Sequence, residues 1–102
     1  MKNTPTRRLL RHAEPLVAIS IAHLRPATRR RLADGELSLV TYPNDYGGFV
    51  HVGSADDALP GEPELAELVA AARVEGIVWI KFDADAAMAD AFPTFDDEEP
   101  TS

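Results

Sequence analysis

The chain contains no cysteine. Disulfides, thiolate metal centres and a cysteine nucleophile are therefore excluded, and a reducing compartment fits. No apolar run approaches the roughly 18 residues a membrane span requires. Arg11, His12 and Glu14 interrupt the amino-terminal stretch before a signal-type apolar region develops, so a soluble cytoplasmic protein is expected. Aromatic residues make up 7% of the 102 residues, and the first apolar run, residues 16–22, has none. A chain of this length builds one small domain with a modest core.

Basic residues are nearly missing from the last two thirds. Residues 1–33 carry eight basic side chains against the single acid Glu14, a balance of +7. Residues 34–102 carry two, Arg73 and Lys81, against sixteen acids, a balance of -14. The net charge of -7 thus hides two poles, which either meet in the fold or face a charged partner.

Residues 1–14 read as a basic arm, with one helical turn over residues 7–12 that Pro15 ends. Residues 16–22 form a β-rich apolar run. Pro26 suits the first position of a short helix and Gly35 its stop, with Leu24, Thr28 and Leu32 facing inward. Residues 36–42 open with the alternation of a half-buried strand, residues 43–47 have turn chemistry, and residues 48–52 form the partner strand of a hairpin. Residues 53–62 are an acidic loop. A second helix spans residues 63–75, with Leu65, Leu68, Val69 and Ala72 on one buried stripe.

The most strand-like stretch, residues 76–85, follows and reads as a central strand ending in Asp83 and Asp85. Phe92 and Phe95 pin the chain beyond it, and residues 96–102 form an acidic, disordered tail. The order strand, helix, strand, strand, helix, strand predicts a ferredoxin-like βαββαβ sandwich, a four-stranded antiparallel sheet with two helices on one face. The division is a basic arm at 1–14, one α+β domain at 15–95 and the tail at 96–102.

Several constellations carry chemistry. Phe82-Asp83-Ala84-Asp85 resembles the nucleophile motif of haloacid dehalogenase-type phosphatases, an apolar strand followed by Asp-x-Asp. That family places the motif near its amino terminus and adds a lysine and magnesium-binding acids downstream, for which this chain has neither the length nor the lysine. His23 beside Asp83 and Asp85 would make a metal-assisted hydrolase or phosphotransfer site, and Ser20 with His23 offers a nucleophile and a base. Residues 45–52 resemble the third-strand signature of RNA-recognition motifs, matching at Gly48, Phe49 and Val50. Asp45 stands where that motif is basic, Gly47 and Val52 stand where it stacks rings, and residues 17–22 add none, so nucleic-acid binding by this face is not expected. Arg25, Arg29, Arg30 and Arg31 are expected to pair with acids or solvent rather than phosphates.

The acids offer another use. Spaced carboxylates imitate a phosphate backbone and occupy the Lys/Arg groove of a nucleic-acid-binding protein. Asp56, Asp57, Glu62, Glu64, Glu67 and Glu75 are the candidate partner-binding residues, with Glu64, Glu67 and Glu75 on the exposed side of the second helix.

Ile19-Ser20-Ile21-Ala22-His23-Leu24, Tyr46-Gly47-Gly48-Phe49-Val50-His51-Val52, Pro63-Glu64-Leu65, Ala71-Ala72-Arg73 and Phe82-Asp83-Ala84-Asp85 together resemble a small domain family of uncharacterised function. Its members occur in proteobacteria, often on plasmids and integrative elements. The resemblance spans residues 16–95. The family typically has a Ser-Thr-Ala-His-like string where this chain has Ser20-Ile21-Ala22-His23, and often a tryptophan where this chain has Gly48. It implies an accessory gene of mobile DNA. With the acidic balance, the expected function is a non-enzymatic inhibitor of a nucleic-acid-binding complex, a DNA mimic of anti-CRISPR or anti-restriction type, needing no cofactor. The alternatives are the enzyme built on His23, Asp83 and Asp85, and a regulatory module acting as a homodimer.

Overall fold

In the computed structural model, residues 5–37, 39–54 and 61–95 are described. The expected tail at 96–102 and the acidic loop at 55–60, with Asp56 and Asp57, lie outside them. The arm forms α1 (Pro5–Arg8) and a 3-10 turn over Leu9–His12, with every residue exposed.

Strand β1 (Leu16–Ser20) is shorter than the apolar run predicts. Ser20 caps a 3-10 turn at Ile21–His23, its Oγ accepting the Ala22 N–H at 3.0 Å, and this ends the strand. Pro26 opens α2 (Pro26–Asp34), where the missing N–H costs nothing, and Gly35 closes it at φ 69°. Leu24, Thr28 and Leu32 are all buried, as their spacing predicts.

The hairpin is β2 (Thr41–Asn44) with β3 (Gly47–His51). Its first strand begins five residues later than the alternation suggests. Leu37 and Leu39 are buried without belonging to the sheet, so the pattern reported burial and not pairing. Helix α3 (Pro63–Val74) buries Leu65, Leu68, Val69 and Ala72 as predicted, and β4 (Trp79–Asp83) follows it.

The sheet order is β1-β4-β3-β2. β1 pairs with β4 in parallel, while β3 pairs antiparallel with both β4 and β2. The sheet is therefore mixed, which corrects the expected antiparallel, ferredoxin-like arrangement. The first and last strands are neighbours; β4 and β3 are internal, and β1 and β2 lie at the edges. Burial follows this order. Val50, Ile80 and Phe82 are essentially inaccessible, while β1 keeps Leu16 44% exposed and Val17 and Ile19 half-buried. Residue order alone does not encode which strands take the edges.

Gly47 shows how closely β3 approaches β4. Its φ is 150°, and an added Cβ would overlap the Phe82 carbonyl oxygen. Only glycine meets both conditions. The core between sheet and helices is built on Leu24, Leu32, Val52, Leu65, Ile80 and Phe82. Each such side chain contributes on the order of 1.5–3 kcal/mol through burial.

Candidate functional site

Alternation along β4 sends Ile80 and Phe82 toward the helices, and Trp79, Lys81 and Asp83 to the other face. The register extends this division across the sheet. Trp79 lies between Leu16 and His51, and Lys81 between Ala18 and Phe49, with Tyr42 beyond Phe49. Leu16, Tyr42, Phe49, His51, Trp79 and Lys81 are all half-buried or exposed.

These side chains gather into one cluster. The His51 and Trp79 rings are 4.7 Å apart between centroids, and Tyr42 reaches Trp79 at 5.9 Å. Lys81 Nζ lies 5.8 Å from the centre of the Phe49 ring, at the long end of a cation–π contact, and 3.6 Å from Asp83 Oδ2. Trp79 Nε1 donates to Glu14 Oε1 at 3.1 Å, which ties the root of the arm to the sheet. The β2–β3 turn, carrying Asp45, meets the far end of β4 where Ala84 N–H donates to the Tyr46 carbonyl at 2.9 Å. The face thus has an aromatic centre holding one lysine, with carboxylates at both ends.

Of these rings, Phe49 alone stands where the RNA-recognition signature matches; Tyr42, His51 and Trp79 come from other positions on β2, β3 and β4. The available signal was parity: Phe49, His51, Trp79 and Lys81 alternate with the buried Val50, Ile80 and Phe82.

His23 is not available as a ligand or base. It is buried, its Nε2 accepts the Ala89 N–H at 2.8 Å, and its Nδ1 donates to the Pro93 carbonyl at 2.8 Å. Both ring nitrogens hold the segment after β4 in place. Asp83 Oδ1 accepts the Asp85 N–H at 2.8 Å, an Asx turn that ends the strand. Among the described residues no three His, Cys, Asp or Glu side chains converge as metal ligands. Ser20 is buried with its oxygen committed to the Ala22 cap.

The six candidate acids separate. Glu67 is exposed on α3 and Glu75 at its C-cap, while Asp56 and Asp57 lie outside the described residues. Glu62 is 1% exposed and Glu64 7% exposed, which corrects the expected outward placement of Glu64. Glu62 Oε1 pairs with Arg31 Nη1 at 2.5 Å, and Glu64 Oε2 accepts from the Arg25 N–H at 2.8 Å and from the Thr28 hydroxyl. A helical wheel of α3 misses this because the docking of α2, not the period, decides the environment of its first turn. Two arginines contact the same neighbourhood, Arg29 half-buried and Arg25 exposed. Arg29 donates to the Leu24 carbonyl at 2.8 Å and the Phe95 carbonyl at 2.7 Å, and Arg25 lies 5.1 Å from the centre of the Phe95 ring. The two charge poles therefore meet within the fold at Arg31 and Glu62.

A family profile described as "Family of unknown function (DUF5983) C-terminal domain" matches residues 16–97. The chain belongs to the DUF5983 family. No curated protein and no solved structure matches it. The matched stretch holds all four strands, α2 and α3, so the sheet face and the buried carboxylates are parts of the DUF5983 domain, whereas the arm through Pro15 precedes the match.

Proposed function

We propose that this DUF5983 protein is a non-enzymatic interaction protein that docks on a basic, nucleic-acid-handling protein in the bacterial cytoplasm. The observation that carries the reading is the Tyr42–His51–Trp79 cluster on the sheet face away from the helices. Protein interfaces concentrate their energy in Trp and Tyr anchors at the centre of a patch, with polar groups at the rim. Glu14, Asp83 and Asp45 supply an acidic rim, and the net charge of -7 steers toward a basic partner. Two copies related by a twofold axis through Lys81 would juxtapose their ammonium groups, so the face suits a different chain better than a second copy.

The finer reading is inhibition, by holding the partner's nucleic-acid groove in the anti-CRISPR or anti-restriction manner expected of mobile DNA. Glu67 on α3 and Glu75 at its C-cap support it, both exposed. Their part is electrostatic, while the aromatic face provides the anchor.

The test is capture on the immobilised protein from bacterial lysate with and without nuclease treatment, repeated with Trp79→Ala and with Glu67→Lys/Glu75→Lys. A retained protein that binds nucleic acid, is displaced by added nucleic acid, and is held at least tenfold less by Trp79→Ala supports the reading. Equal retention by Trp79→Ala excludes the aromatic face. Retention of nucleic acid alone, lost on nuclease treatment, replaces the protein partner with a stacked strand.

A further inference from the structure

The helix layer covers the sheet unevenly. Helix α2 packs over β2 and β3, at the opposite end from β1. The inward side chains of β1 are consequently covered by α3 and by the segment after β4. Between them lies an apolar cleft of about 210 Å³. Val17, Ile19 and Ile80 form its floor, Leu68 and Ala72 one wall, and Phe92 the other. Among the described residues, Glu75 is the one charged residue on its lining.

The segment that arches over this space is pinned and not draped. Ser20 N–H donates to the Ala87 carbonyl at 2.9 Å, and Phe95 N–H to the Ala22 carbonyl at 2.7 Å. Between these points His23 holds Ala89 and Pro93, and its ring meets Phe92 edge-on at 6.5 Å. These hydrogen bonds hold the segment at both ends above Val17 and Ile19.

We infer that this cleft binds a small alkyl- or arylalkyl-ammonium ion. Apolar lining selects a hydrocarbon body. A cavity of about 150 Å³ lined by Leu, Ile and Phe accepts benzene, so this one accommodates a body of roughly eight carbon atoms. Glu75, an exposed acid on the lining, favours a cation and disfavours a carboxylate ligand. The site is separate from the aromatic face, on the other side of the sheet, and does not depend on the reading given to that face.

The test is a methyl-resolved NMR titration of the full chain with three matched probes: 2-phenylethylamine, 2-phenylethanol and 3-phenylpropionate. Saturable shifts of the Val17, Ile19, Ile80 and Leu68 methyls are expected, strongest for the amine. Glu75→Gln, at an exposed position, is expected to weaken the amine about threefold to fivefold and leave the alcohol unchanged. Ala71→Trp, with folding checked by circular dichroism, is expected to fill the cleft and abolish the shifts. Absence of saturation up to about 10 mM, shifts confined to other methyls, or equal binding of all three probes overturns the inference.

Discussion

Glu64 Oε2 accepts a hydrogen bond from the backbone N–H of Arg25 at 2.8 Å. Arg25 is the N-cap of α2, and Thr28 at its third position donates to the same oxygen. A carboxylate from α3 thereby performs the service that a capping-box glutamate performs within its own helix, at the positive end of the α2 dipole. Glu64→Ala is expected to lower stability by about 1–3 kcal/mol, and Glu64→Lys by more, because a cation would be buried beside that helix start. Glu67→Lys, at an exposed site three residues on, should stay within about 0.5 kcal/mol. Thermal unfolding of the three variants checks this; equal losses at Glu64 and Glu67 would contradict the buried placement.

His23 provides a second measurement. Replacing it with Ala leaves the Ala89 N–H and the Pro93 carbonyl without their partner. The expected loss is about 1–3 kcal/mol for each group that water does not reach. Amide exchange should accelerate in residues 86–95 before it does in β3 or β4. Uniform acceleration across the sheet would mean that His23 supports the core and not that segment.

Gly47→Ala tests the close approach of β3 to β4. Gly35→Ala adds backbone strain alone, since nothing lies within 4 Å of its added Cβ, and should cost about 1 kcal/mol. Gly47→Ala adds overlap with the Phe82 carbonyl to similar strain and should cost clearly more. Denaturant midpoints rank the two, and a smaller loss at Gly47 would refute the pairing register.

Trp79→Ala separates binding from folding. Trp79 is half-buried on the side away from the core, so the variant should remain folded by circular dichroism while losing at least tenfold in partner retention. Loss of the folded signal would instead assign Trp79 to the structure.

A metal titration addresses the enzyme alternative. With both His23 nitrogens occupied and Asp83 turned into its own Asx turn, Zn²⁺, Mg²⁺ and Mn²⁺ should each leave the melting temperature unchanged. A saturable rise that disappears in Asp83→Asn/Asp85→Asn would restore that site.

Local chemistry was legible wherever a single segment decides its own state. Pro26 and Gly35 bound α2 because the first lacks a donor and the second accepts a left-handed φ. The stripe Leu65, Leu68, Val69, Ala72 fixed which side of α3 is buried, and the β-rich run around Ile80 marked one of the two internal strands. Other features depend on what a segment meets. Leu37 and Leu39 alternate like a strand yet only fill the core. Glu64 reads as an exposed helix acid until α2 arrives over it. Tyr42, His51 and Trp79 are far apart in the chain and meet only because β3 lies between β2 and β4.

The sequence by itself therefore determined the helices, the presence of a hairpin, the inward positions and the uneven distribution of charge. Each of these follows from periodicity or backbone preference within a few residues. Tertiary structure alone decided the strand order, the exclusion of β1 to the edge, the burial of Glu62 and Glu64, and the gathering of rings on one face. Those depend on which surfaces find the best cover, a competition among distant segments that no local pattern records.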